Sequence, residues 1–196
     1  MTVSRVGGIL PNMSSGVGDR AEVSALRALA HPVRLRILSL LTGTAMSAAE
    51  VARELGLTHA NASYHLRLLA DAGHLVDAGE EAIRGGRAKR YRYDVDGPVR
   101  MASDPAAAAQ YYAAVAAELV RRAGSRRSGG RATSSDAELW VPPEVWEAAV
   151  AAVLAAVEDL HRAAVPTDSA GAVHVSATTA LFEMDDGHDG PGSDPS

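Results

Sequence analysis

One stretch of the sequence, Ser47 to Gly73, constrains the fold more than any other, because it holds two capped helices joined by a glycine turn. Ser47 and Glu50 have the spacing of a capping box, in which the two residues satisfy each other's backbone N–H groups at the start of a helix. That helix is expected to end at Gly56, since glycine is favoured just after a helix C-terminus. Thr58 then caps a second, longer helix. A short helix, a tight turn and a longer helix form the helix-turn-helix arrangement.

The second helix has one face suited to burial and another free to meet a partner. Its apolar positions fall within a narrow arc at helical spacing: Ala62, Leu66, Leu69 and Gly73. The remaining positions point the other way or lie on the flanks of that arc: Ala60, Asn61, Ser63, Tyr64, Arg67 and Asp71. We interpret this helix as the reading helix, since the second helix of such a motif enters the major groove of DNA.

Two helices are predicted before the motif and a β-hairpin after it. The apolar stripe from Glu22 runs to His31, and Pro32 fits the first turn of a helix that stops at Gly43. After Gly73 the periodicity changes to two, which indicates one strand, a glycine-rich turn over residues 84–88 and a returning strand over residues 89–95. A hairpin directly after a reading helix is a wing.

The wing carries a run of basic residues with no acid among them. Those proposed to contact DNA are Arg84, Arg87, Lys89 and Arg90. Such a hairpin suits DNA phosphates, because each neutralised phosphate releases condensed counterions. The alternative interpretation is a solvated charge run without a ligand.

Composition narrows the class of protein. The 196 residues contain no cysteine, which excludes disulfides, thiolate nucleophiles and cysteine-based zinc sites. The net charge is −5, yet residues 21–100 carry +2 whereas residues 101–196 carry −8, so the positive part coincides with the predicted motif. The N-terminal residues lack the pattern of a secretory signal, and no run of apolar residues is long enough to span a membrane, so a cytoplasmic protein is expected.

The fold class predicted from these patterns is mainly α with a β-hairpin wing, a winged helix-turn-helix, plus a small C-terminal strand-helix-strand segment. By composition and periodicity the chain divides into a flexible arm (1–20), the winged helix-turn-helix DNA-binding domain (21–100), a dimerisation helix (101–124), a linker (125–135), a C-terminal α/β segment (136–184) and a disordered acidic tail (185–196).

Two of these parts have more than one interpretation. The helix of residues 101–124 carries Tyr112, Leu119 and Val120 on an alanine-lined stripe, which suits either pairing in a homodimer or packing on its own domain. The C-terminal segment is expected to place strands at residues 137–141 and 172–182 around a helix, as a ligand sensor or a pairing surface. It holds every Trp and Phe of the chain, which form either a ligand pocket or a thin core: Trp140, Trp146 and Phe182.

The segment LRALAHPVRLRILSLL, followed by SAAEVARELGLTHANASYHLRLLADAGHLV and a basic hairpin, resembles the ArsR-type winged helix-turn-helix transcriptional regulators. The likeness covers about residues 24–95. It implies a homodimer that places two reading helices in successive major grooves of a palindromic operator, usually as a repressor released by a signal. By position it implies DNA contacts from Thr58, His59, Asn61, Ser63, Tyr64 and His65, and from residues 87–90 on the wing; the exposed face of the helix adds Arg67.

The sequence departs from the metal-sensing members of that family. Residues 47–55 contain no Cys or His, and residues 105–124 contain no His and only Glu118 as an acid. Metal sensing of the usual kind is therefore not expected, and no metal site or cofactor is assigned. The partners implied are double-stranded DNA, a second copy of the chain and an unidentified small-molecule effector.

The alternative from another class is a small-molecule sensor or protein-interaction module in which the C-terminal segment dominates. An enzyme is least favoured. Ser63 and His65 project from different sides of one helix, so they cannot form a nucleophile and base pair. The turn at Gly85-Gly86 lacks the following helix that a phosphate loop needs.

Overall fold

The computed structural model describes residues 16–83, 86–94, 104–167 and 169–185. Its helices are α1 Gly16–Leu29, α2 Pro32–Gly43, α3 Ala48–Leu55, α4 His59–Asp71, α5 Pro105–Ala123 and α6 Pro143–Arg162. Its strands are β1 Met46–Ser47, β2 Leu75–Ile83 and β3 Gly86–Tyr93. The fold is mainly helical with a hairpin wing after the helix-turn-helix, as the sequence predicted.

The predicted helix caps and glycine turn are present. Ser47 and Glu50 form both halves of the capping box at the start of α3. Gly56 ends that helix with φ +65°, a left-handed conformation that other residues adopt at a cost. The Thr58 hydroxyl accepts a hydrogen bond from the Asn61 backbone N–H at 3.2 Å, which fixes the start of α4.

The core lies between the helix-turn-helix and the sheet. Its fully buried side chains include the predicted inner face of α4: Ala62, Leu66 and Leu69. These pack with residues from α1, α2, α3 and the sheet: Leu29, Ile37, Leu41, Val51, Leu75 and Tyr91. A smaller cluster joins α1 to α5 through Leu26 and Ala107. Buried apolar area from five helices and the sheet thus sets the position of α4.

The sheet has the order β1-β3-β2 with antiparallel pairing throughout. The pairing of β2 with β3 shifts between Asp77 and Glu80, where Gly79 has φ +92° and donates its N–H to Asp77 at 2.8 Å. Such a bulge increases the local twist of a hairpin. The returning strand begins at Gly86, three residues earlier than predicted, and the predicted strand residue Val95 lies outside the described residues.

The predicted flexible arm is too long. Residues 1–15 lie outside the described residues, but α1 begins at Gly16 rather than near Glu22. Glycine costs about 1 kcal/mol in a helix, so Gly16 and Gly18 suggested an arm. The part of α1 around Leu26 packs against α5. This packing stabilises α1, so the helix extends towards the N-terminus through these glycines.

Helix α5 packs on its own chain. It buries Ala107, Ala114 and Glu118 and leaves Leu119 and Val120 exposed, so the buried stripe is rotated from the predicted one. Glu118 contacts Arg121 at 2.8 Å, and Arg122 donates to the Ser39 hydroxyl of α2 at 3.2 Å. This polar network, together with small alanines, holds α5 against α2.

The two predicted C-terminal strands are wrong. The predicted helix between them exists as α6, with Pro143 in its first turn, but residues 137–141 and 172–182 form neither helix nor strand. Both segments have the residue pattern of a strand, but a strand also needs a neighbour to satisfy its backbone groups. Neither segment pairs with the other or with the wing sheet. Of the predicted acidic tail, only Asp185 lies among the described residues.

Candidate nucleic-acid interface

The outer face of α4 presents a continuous set of exposed side chains. Tyr64 is 56% exposed although it is a large aromatic residue. The exposed positions of the cap and helix are Thr58, His59, Ala60, Asn61, Tyr64, Arg67 and Asp71, whereas Ser63 and His65 are half-buried. An amide, a phenol and a guanidinium on one helix face are groups that hydrogen-bond to base edges and phosphates.

Local hydrogen bonds orient two of these groups. Arg67 donates from Nε to the Ser63 carbonyl at 3.2 Å, which lays the side chain along the helix. The Thr58 hydroxyl accepts the Asn61 N–H, so its own hydrogen remains available to an acceptor outside the protein. The start of α4 therefore combines a side-chain donor with the positive end of the helix dipole, an arrangement that favours a phosphate.

His65 points inward, unlike the other predicted DNA contacts. Its ring lies 5.2 Å from the ring of His31 and 5.3 Å from that of Tyr64. Its Nδ1 is buried and has no hydrogen-bond partner among the described residues. Burial lowers the pKa of His65, and the positive charges of His31 and Arg34 lower it further. His65 is thus placed to support Tyr64 from behind.

His31 and Arg34 complete the layer behind Tyr64. His31 caps α2, where its Nδ1 accepts from the Val33 N–H at 3.2 Å. Burial, followed by the charge of Arg34, lowers the pKa of His31. Arg34 donates a hydrogen bond to the Arg27 carbonyl at 3.1 Å, in the last turn of α1. The helix dipole also stabilises a cation at this end of a helix.

An open groove between α1 and α4 lies beside the reading face. Three arginines line it together with Tyr64 and Asp71: Arg27, Arg34 and Arg67. Arg27 also pairs with Asp104 at 3.0 Å. No local pattern in the sequence reveals this groove, because its basic residues are far apart in the chain. The available signals were the exposed Arg67 of α4 and the two charged residues of the otherwise apolar helix α2, Arg34 and Arg36.

Two of the basic residues on the wing, Arg87 and Lys89, are paired with acids of the neighbouring strand. Arg87 contacts Glu80 at 2.5 Å and Lys89 contacts Asp77 at 3.0 Å. The acids lie on β2 and the bases on β3. The basic run itself contains no acid, so these pairs are not evident from that run alone. Pairing the two predicted strands would have found them. Arg84 lies outside the described residues, and Arg92 is exposed with no ion pair among the described residues.

Arg90 differs from the other wing bases because it is mostly buried. Its side chain is 23% exposed and lies 3.2 Å from Glu50, with further contacts to Glu81 and to the Ala45 carbonyl. Burial opposes ionisation of Glu50, but hydrogen bonds from Ser47 and the charge of Arg90 outweigh it and lower the pKa of this carboxyl. Arg90 therefore links the wing to the start of α3.

Residues 29–76 match a family model described as a helix-turn-helix domain. This part of the chain is a helix-turn-helix domain. The matched range covers the end of α1, helices α2 to α4 and the first residues of β2, and so includes every predicted contact on the reading helix. No curated protein matches the chain.

The three aromatic residues proposed as a ligand pocket do not converge on one. Trp146 is half-buried and donates its indole N–H to Glu183 at 3.1 Å, and the Phe182 ring lies 5.5 Å from that of Tyr112. Trp140 is 86% exposed. Among the described residues, no three His, Asp or Glu side chains are grouped as metal ligands, and no helix is long and apolar enough to cross a bilayer.

Proposed function

We propose that this chain is a sequence-specific transcriptional regulator of the ArsR type, which binds double-stranded DNA through its helix-turn-helix domain. The observation that carries the proposal is the exposed face of α4, where Asn61, Tyr64 and Arg67 project from a helix fixed by a capped start and a buried inner face. Such a face enters a major groove and reads base edges.

The surroundings of α4 supply phosphate contacts on both sides. Arg34 and Arg67 line the groove towards α1, and Arg87 and Lys89 lie on the wing. The wing bases exchange their carboxylate partners for phosphates on binding, so each contributes less than an unpaired cation would. Phosphate contacts set the register of the protein on DNA, and α4 sets the sequence preference.

The regulator acts as a homodimer on a palindromic operator, because one reading helix contacts only a few base pairs and a two-fold operator matches a two-fold protein. The exposed positions Leu119 and Val120 leave the outer side of α5 available for contact with a second copy. Repression follows if the bound dimer blocks the polymerase, and an unidentified effector releases it.

The proposal is tested by selecting genomic fragments with the purified protein and titrating the selected site by fluorescence anisotropy at several salt concentrations. A random duplex of equal length is the matched control. We expect binding at least about a thousandfold tighter to the selected site. Equal binding to both duplexes, with no site enriched, would contradict the proposal and favour a sensor or interaction module dominated by the C-terminal segment.

A further inference from the structure

Exposed apolar side chains are concentrated in the last third of the chain. Among the described residues, sixteen large apolar side chains are exposed, and twelve of these lie between Leu139 and Met184. Trp140 is 86% exposed, Val173 71% and Val175 62%. A monomer rarely exposes a contiguous apolar patch beyond a few hundred Å². This concentration indicates a surface that another molecule covers.

The backbone groups of the same part of the chain lack partners among the described residues. No backbone-to-backbone hydrogen bond joins residues 131–141 or 173–184 to another described residue. Val173 and Val175 alternate with His174 and Ser176, the period of a strand with one apolar face. Backbone N–H and C=O groups under an apolar cover must be paired, so whatever covers this surface also supplies hydrogen bonds.

Side-chain contacts anchor this region to the rest of the protein. Glu183 accepts the Trp146 indole N–H at 3.1 Å, and Phe182 packs on Tyr112 of α5. At the far end of α6, the ring of His161 lies 5.8 Å from that of Tyr93 in β3. Ring contacts therefore connect the last third of the chain to α5 and to the wing sheet.

We propose that residues 137–141 and 172–182, which we call the C-terminal surface, pair with a second copy of the chain. Residues 137–141 of each copy form a strand against residues 172–182 of the other. The proposal rests on the proposed homodimeric function and adds a contact between the subunits to the one that the outer side of α5 offers. Unpaired strand edges are templates for pairing with another chain.

Reciprocal pairing gives both segments in each copy a strand partner, with residues 137–141 covering part of the longer segment. Pairing of residues 172–182 with themselves across the two-fold axis would leave residues 137–141, and the exposed Trp140, uncovered. The area is also sufficient. A stable interface needs about 800 Å² from each partner. A fully buried aromatic side chain contributes about 150–250 Å². Within the C-terminal surface, Trp140 and Phe182 are joined by five exposed aliphatic side chains: Leu139, Val141, Val173, Val175 and Leu181.

The acids on and near the C-terminal surface determine how its pairing should depend on salt. The segment carries acids near the surface, Glu138, Glu144 and Glu183, so two copies repel each other electrostatically. Salt screens this repulsion. We therefore expect dimerisation to hold or strengthen as salt rises, whereas DNA binding weakens.

The first experiment measures the dimerisation constant of the full chain without DNA by sedimentation equilibrium over a wide range of concentration. V173D/V175D places charges on the apolar side of the segment, and H174D/S176D is the matched control on the other side. All four residues are exposed in the single chain, so circular dichroism should show unchanged folding in both variants. We expect V173D/V175D to weaken dimerisation at least about a hundredfold and the control to change it less than about fivefold. A monomeric wild type, or equal effects of the two variants, would overturn the proposal.

The second experiment uses the absence of cysteine from the sequence. A tagged chain carrying Leu139→Cys is mixed with untagged chains carrying cysteine at residue 173, 175, 177 or 179, under mild oxidation. We expect disulfide-linked tagged and untagged chains for at least one position, because cysteines on paired strands lie within bonding distance. Exclusive crosslinking between identical positions, or none, would overturn the pairing.

The proposed interface and the proposed DNA binding can be overturned separately. A stable, crosslinked dimer that binds all DNA equally would overturn the proposed function and leave the interface intact. Selective DNA binding by a chain that stays monomeric and forms no crosslink would do the reverse.

Discussion

The guanidinium of Arg90 lies 3.2 Å from the same Glu50 oxygen that accepts the Ser47 backbone N–H at 2.7 Å. One carboxylate thus closes the cap of α3 and binds the wing. The helix that precedes the turn and the hairpin that follows the reading helix are held in one unit, although the two residues are 40 positions apart. We therefore expect a change at Arg90 to affect the stability of the domain together with any contact of the wing to DNA.

We expect Arg90→Ala to destabilise the protein as well as weaken DNA binding. Loss of its charge-assisted bonds to Glu50 and Glu81 should lower the free energy of unfolding by about 1–2 kcal/mol. The matched control is Arg92→Ala, since Arg92 is exposed on the same strand. Chemical denaturation measures both variants. Equal stability of the two would show that the contact to Glu50 contributes nothing to the fold.

Removal of an acid from the wing should strengthen DNA binding. Glu80→Gln frees Arg87 from its contact at 2.5 Å and removes a negative charge near the phosphates. We expect DNA affinity to rise severalfold at low salt and the salt dependence to become steeper. Glu158→Gln on α6 is the control with the same change of charge. An unchanged affinity for E80Q, measured by anisotropy, would remove Arg87 from the DNA contacts.

Substitutions on the outer face of α4 should change selectivity more than affinity for random DNA. A contact to a base edge contributes about 1–3 kcal/mol of discrimination. We expect Asn61→Ala or Tyr64→Phe to reduce the ratio of operator to random binding about tenfold or more. Arg67→Ala should weaken both, if its guanidinium binds phosphate. Retained selectivity in N61A and Y64F would place the readout on another surface.

Features that depend on neighbouring residues were predictable from the sequence, whereas features that depend on long-range contacts were not. The Ser47 and Glu50 cap, the turn at Gly56 and the inner face of α4 depend on residues within one or two helical turns, so local patterns predicted them. The pairs of Arg87 with Glu80 and of Arg90 with Glu50 depend on strand pairing, which a single run of residues does not contain.

The C-terminal segment shows a different reason why a sequence pattern can fail to predict structure. Residues 172–182 have the pattern of a strand, but the single chain supplies no neighbour for their backbone groups. A local preference for strand becomes a strand only when a second strand pairs with it. The groove beside α4 was missed for a related reason, because Arg27, Arg34 and Arg67 meet only after three helices have packed.

A substitution at Gly43 would test how closely the segment after α6 packs on α2. A Cβ added at Gly43 would lie 2.6 Å from the Val165 carbonyl oxygen, too close for any ordinary contact. We expect Gly43→Ala to displace residues 163–167 and increase their amide hydrogen exchange, with the core of α2 to α4 unchanged. Gly86→Ala, whose Cβ would meet nothing within 4 Å, is the matched control. Unchanged exchange in G43A would show that this contact does not hold the segment.

Acid should destabilise the fold through His31 and His65. Burial is the main cause that lowers the pKa of both imidazoles from the ordinary value of 6.5, with Arg34 adding to it. Just below that value, the two imidazoles are protonated in the unfolded chain but stay neutral in the folded chain. The free energy of unfolding therefore falls as the pH falls. The stabilisation is complete above pH 6.5 and is lost as the pH approaches the lowered pKa values.

We therefore expect the melting temperature of the wild type to fall between pH 7.5 and pH 5 more than that of H31N/H65Q. Asparagine keeps the cap of α2, because its side chain accepts from the same backbone N–H. His174→Gln, in the exposed C-terminal segment, is the matched control for the replacement of a histidine. Identical pH profiles for the wild type and H31N/H65Q would show that acid acts elsewhere, because only the double variant removes the imidazoles that lie 5.2 Å apart behind Tyr64.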